Sequence, residues 1–150
     1  MKTIFLLGSE SDKDFTLKIT DKLTEWGIPF EVLVASAHKV PEKVFEIVDA
    51  NNKSDDELVY VTIAGRSNGL SGVTAANSVH PVIACPPHSS KEDFMVNINS
   101  TLVMPSDTPV LTVLDPGNCA LAVARIFAVS NPELRSKVAD KIAEIKKSFE

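Results

Sequence analysis

Short apolar runs alternate with longer, mixed stretches along the 150 residues of this chain. Thr3-Ile4-Phe5-Leu6-Leu7 is continuously apolar or β-branched, as expected of a strand buried on both faces. Gly8 ends it. Ser9 stands three residues before Asp12 in a capping-box-like spacing, and Phe15, Ile19, Leu23 and Trp26 then mark one helical face until Gly27 stops it. Ile28 to Ala35 reads as a second strand, and Pro41 is well placed in the first turn of a helix carrying Val44, Phe45 and Val48. The acidic, polar stretch Asn51 to Glu57 reads as a solvated loop, and Leu58 to Ala64 as a third strand.

The same alternation continues. A helix of small residues around Val73 to Asn77 leads to a short strand, Val82-Ile83-Ala84, and Ser89 or Ser90 can cap a helix over Lys91 to Thr101. Val110 to Leu114 is the fifth expected strand. Asp115-Pro116-Gly117-Asn118 turns into an apolar helix from Cys119 to about Val129, and Asn131-Pro132-Glu133 starts a last helix through Phe149. Strands alternating with helices predict an open α/β sandwich around a parallel sheet in a single domain. The helix after Asn118 is apolar on more than one face, more than one small sheet covers easily, which points to packing between subunits.

Composition narrows the functional classes. Apolar content of 44% and charged content of 23% are ordinary for a globular protein, while the formal charge of −5 opposes general attraction to nucleic acid or anionic membrane. No apolar run nears the ~20 residues that span a bilayer. Met1 to Leu7 belongs to a strand and no secretory leader is visible, so the expected location is cytoplasmic, with Cys85 and Cys119 as reduced thiols.

Three turns carry the chemistry: Gly8-Ser9-Glu10-Ser11-Asp12, Ser36-Ala37-His38-Lys39-Val40-Pro41 and Ala64-Gly65-Arg66-Ser67-Asn68-Gly69-Leu70. Each follows a predicted strand and leads toward a predicted helix, so all three belong at the carboxyl edge of the sheet, where such folds bind ligands. His38 is the proton-carrier candidate, because imidazole exchanges a proton near neutrality. Ser9, Ser11, Ser36 and Lys39 read as a phosphate cradle, or as helix caps and a solvated lysine. Asp12 suits a ribose diol, or simply complements a helix N-terminus. Gly65 and Gly69 allow close backbone approach beside the donors of Arg66 and Ser67, or merely turn the chain. His80 and His88 flank the fourth strand without metal-binding spacing, Cys85 has no nearby base, and Asn118 is either a cap or a pocket residue. No GxxxxGK[ST] or GxGxxG motif is present.

Taken together, Gly8-Ser9-x-Ser11-Asp12, Ser36-Ala37-His38-Lys39-x-Pro41 and Pro116-Gly117-Asn118-Cys119-Ala120 make the chain resemble the aminoimidazole ribonucleotide carboxylase family of purine biosynthesis, over essentially its full length. In the mutase class of that family the second motif usually carries Arg where Lys39 stands, and the third loop contains a histidine. Ala64-Gly65-Arg66-Ser67-Asn68-Gly69-Leu70 and Cys85-Pro86-Pro87 are instead similar to the second class, which takes free CO2.

The resemblance implies a three-layer α/β/α, flavodoxin-like fold with extra C-terminal helices, assembled as a homo-octamer whose last helices reach across subunits. It implies a lyase that carboxylates the ribonucleotide without cofactor or metal. His38 would be the general acid/base, with Gly8, Ser9, Ser11, Asp12, Ser36, Lys39, Arg66, Ser67 and Gly69 around the substrate and Lys39, Ser67 and Gly69 around CO2. The alternatives are a mutase acting on the N-carboxylated ribonucleotide and a non-catalytic phosphate- or flavin-binding module of the same architecture.

Overall fold

The computed structural model describes residues 1–149. Five parallel strands lie in the order β2-β1-β3-β4-β5, where β1 is Lys2–Leu7, β2 Phe30–Val34, β3 Leu58–Ile63, β4 Val82–Ala84 and β5 Leu111–Thr112. Six helices connect or follow them: α1 Lys13–Trp26, α2 Pro41–Asn52, α3 Gly69–Asn77, α4 Lys91–Leu102, α5 Pro116–Phe127 and α6 Pro132–Lys147. The chain leaves β1 for one edge and returns across it to β3, so the order reverses between these two strands.

Alternation along β1 divides the core. Phe5 and Leu7 join Val59, Val61 and Ile63 against Ile19 and Leu23 of α1, Val123 and Phe127 of α5 and Leu134 and Val138 of α6. Ile4 and Leu6 face the opposite way with Tyr60, meeting Val44 and Val48 of α2 and Leu70 and Ala75 of α3. The predicted three layers are therefore present. α5 is also covered within the chain: α1 packs along it, and α6 closes its other side. Leu121, Ala122 and Ile126 of α5 stay half-buried, and Met95, Val96 and Leu102 of α4, with Val103 just after it, remain exposed.

Several boundaries differ from those expected, each for a local reason. β2 is shorter than Ile28 to Ala35 because Pro29 has no N–H to pair, although its carbonyl still accepts from Thr3. α2 continues through Asn52 into the stretch expected to be loop. α3 begins at Gly69, four residues early, because the Asn68 side chain caps it by accepting from the Ser71 N–H. Asp115 does the same for α5 through the Asn118 N–H, so that helix starts at Pro116. β5 keeps only two of its five expected residues. Gly27 ends α1 at φ 70°, where a side chain would be strained.

Register fixes the site. Leu7 pairs with Val34 on one side and Ile63 on the other, so the turns after β1, β2 and β3 leave the sheet at one level.

Candidate active site

Those three turns enclose a cleft of about 410 Å³. Gly8, Ser9, Ser11 and Asp12 line it from the first turn, Ser36, His38 and Lys39 from the second, and Arg66 and Ser67 from the third. Gly69 contributes by what it lacks: a Cβ there would stand 3.1 Å from both Cε1 and Nε2 of His38. The imidazole is thus held edge-on to a bare stretch of backbone at the start of α3. His38, Lys39, Arg66 and Ser67 are exposed, leaving the cleft open on one side.

The first turn is both cap and cradle. Ser9 accepts from the Ser11 N–H at 3.3 Å and from its hydroxyl at 3.0 Å, which sets a single 3-10 turn over Glu10–Asp12 ahead of α1. Asp12 makes no side-chain capping bond at the start of α1. Its carboxylate faces the cleft. Partial burial raises its pKa above the ordinary carboxylate value, with a backbone contact at Ser9 pulling the other way.

A raised carboxyl has a signed consequence for stability. The folded state holds the Asp12 proton more tightly than the unfolded state, so this contribution is complete below the ordinary carboxylate range and is lost as pH rises through the raised value. Asp12→Asn removes the cost of ionisation: it should be more stable than the parent at neutral pH, the difference closing toward about pH 3. Were Asp12 to hold a ribose diol, as the resemblance implies, the same variant would also bind that ligand about tenfold more weakly. Denaturant titration at both pH values and calorimetry check the pair, and equal stability differences at the two values would refute the linkage.

Beneath the third turn runs a buried polar relay that sequence reading missed. Thr62 and Ser71 share a hydroxyl hydrogen bond at 2.7 Å, the Ser71 hydroxyl donates to Asn68 Oδ1 at 3.0 Å, and Asn68 Nδ2 donates to Thr101 Oγ1 at 3.0 Å. These residues tie β3, the start of α3 and α4 together. The available signal was Asn97-Ile98-Asn99-Ser100-Thr101, a run of poor helix formers within a helix, with a reason to be there other than propensity.

Not every candidate converges. Asn118 is exposed in the first turn of α5 and lines neither this cleft nor its neighbour. His80 contacts the Asn51 carbonyl, remote from the three turns, while His88 lies in an adjoining cleft of about 370 Å³ that shares Ser11, Asp12, Gly65 and Arg66. Cys85 and Cys119 are buried free thiols, and hydrogen bonding of the Cys119 thiol to Cys85 together with burial pushes its pKa far up. No cluster of three or more metal-ligating side chains occurs among the described residues. Among the described residues no helix is long and apolar enough to cross a membrane.

The strand order defines a doubly wound α/β protein with its cleft at the switch point, where such folds bind ligands. Comparison with known proteins specifies the kind. The family model described as AIR carboxylase matches residues 2–148. A phosphoribosylaminoimidazole carboxylase of Archaeoglobus fulgidus is 48% identical over 92% of this chain and 75% of its own length. That of Treponema denticola is 40% identical over 90% of this chain and 84% of its own. The crystal structure of Treponema denticola PurE superposes with a TM-score of 0.91 at 36% identity, covering 99% of this chain and 93% of that one. The human bifunctional phosphoribosylaminoimidazole carboxylase/phosphoribosylaminoimidazole succinocarboxamide synthetase is 38% identical over 91% of this chain, which spans 32% of that longer protein. The chain belongs to the AIR carboxylase family and is an enzyme of the phosphoribosylaminoimidazole carboxylase type, a lyase of purine biosynthesis.

Proposed function

We propose that this cleft carboxylates 5-aminoimidazole ribonucleotide directly with CO2, reversibly, to give 4-carboxy-5-aminoimidazole ribonucleotide. The observation that carries the reading is the approach of the His38 ring to the bare backbone at Gly69, which sets an imidazole against the third turn at the edge of the cleft. The third turn presents Arg66 and Ser67 to that cleft rather than an imidazole.

In this reading Ser9, Ser11 and the free N–H groups of the first turn take the phosphate, with Gly8 giving the backbone room to approach. Asp12 accepts from the ribose hydroxyls, while Ser36 and Lys39 secure the ribotide from the second turn. Ser67, Gly69 and Lys39 bound the CO2 niche, and Arg66 closes its outer side. The exocyclic amine makes the adjacent ring carbon enamine-like. That carbon attacks CO2, a C–C bond forms, and the former CO2 becomes a carboxylate. A proton is left on the tetrahedral ring carbon. His38 removes it, returning the electron pair to the ring and restoring aromaticity. Holding a neutral gas against the ring depends on position more than on charge.

The octameric assembly belongs to the same proposal. Its support is the exposed apolar strip formed by Met95, Val96 and Leu102 of α4 with Val103 just after it, and the open side of the cleft. Purified enzyme given aminoimidazole ribonucleotide and bicarbonate should form the 4-carboxylate, and light scattering should return eight chain masses. Turnover of the N-carboxylated ribonucleotide without release to free CO2 would replace this reading with the mutase reaction. A fully active monomer would remove the assembly.

A further inference from the structure

Asn97 lies on α4, outside all three turns, and is buried. Its amide serves two loops at once. Oδ1 accepts from the Arg66 N–H, while Nδ2 donates to the Pro87 carbonyl at 2.6 Å and to Asp93 Oδ1 at 3.3 Å. Donor and acceptor needs of these neighbours agree on the same amide orientation. Ser100, three residues on, donates its hydroxyl to the Arg66 carbonyl and accepts from the Asn68 N–H at 3.3 Å. Both backbone polar groups of Arg66 are therefore held by α4.

Arg66 needs that hold. Its φ of 57° puts a non-glycine residue in the left-handed region, where the Cβ crowds its own backbone. Gly65 beside it has no room for a side chain, because a Cβ would come within 3.0 Å of Asn97 Nδ2. The turn is shaped by an external template rather than by its own preferences.

We propose that Asn97, supported by Ser100, is a positioning residue for the CO2 side of the cleft. It fixes the Gly65–Asn68 turn, which carries Ser67 and delivers Gly69 to the edge of His38. The first two turns, with Ser9, Asp12, Ser36 and Lys39, have no bond to either residue among those described. Loosening the clamp therefore separates the two substrates. This rests on the direct-carboxylation reading above, since only that reading places CO2 against the third turn.

The test is Asn97→Ala, with Ser100→Ala as a milder second variant. Steady-state kinetics should show the KM for CO2 rising about tenfold or more with a fall in kcat, while the dissociation constant of the ribonucleotide stays within about threefold of the parent. In the ligand-free protein, amide hydrogen exchange over residues 66–69 should accelerate about tenfold or more, with the β1 and β3 amides unchanged. Unaltered exchange at 66–69, or ribonucleotide affinity falling as far as that for CO2, would overturn the proposal. Should the parent enzyme consume only the N-carboxylated ribonucleotide, the functional reading fails, and the exchange measurement still decides the clamp. Should Asn97→Ala not fold, Ser100→Ala carries both measurements under the same criteria.

Discussion

His38→Asn lowers the carboxylation rate by about 10³-fold, the range expected when a positioned general base is removed, while ribonucleotide binding stays nearly unchanged. Asparagine keeps a polar side chain of similar reach in an exposed turn, so the fold has little to lose. It cannot accept the ring proton. In the proposed reaction the attack on CO2 remains available, but its product then reverts faster than it rearomatises. Single-turnover carboxylation and calorimetric binding separate these effects. A variant retaining a tenth or more of parental turnover would remove His38 from the proton transfer.

Gly69→Ala tests the same geometry from the other side. The new methyl would meet Cε1 and Nε2 of His38 at 3.1 Å, closer than ordinary contact, so the ring must swing away or the start of α3 must shift. Displacement of a reacting group by about 1 Å costs about 10²-fold in rate. The backbone itself accepts alanine, because the φ of Gly69 is not in the left-handed region. The loss should therefore appear in kcat, with thermal stability close to the parent's. If turnover survives and stability falls instead, Gly69 serves helix packing and the niche lies elsewhere.

Much of this arrangement was readable from the chain. The apolar run of β1, the Gly27 stop and Pro41 at the start of α2 are local signals, and the structure keeps all three. Convergence of the three turns followed from the β-turn-α pattern and a parallel sheet. Other features depend on contacts distant in sequence. The early start of α3 comes from an Asn68 cap whose amide also reaches Thr101, 33 residues away. Nor could the clamp on Arg66 be read, since Asn97 alone gives no hint of a partner 31 positions earlier. The excess apolar surface of α5 was visible, but that Leu134 and Val138 of α6 share its core was not.

The pair of sulfur atoms beneath α5 gives the molecule an internal clock for its own breathing. Neither Cys85 nor Cys119 reaches solvent, and the raised pKa of Cys119 keeps it in the unreactive protonated form. An alkylating reagent thus meets them only as often as β4 and α5 part. The rate of labelling reports the opening of the sheet's central layer, with no probe added to the catalytic edge.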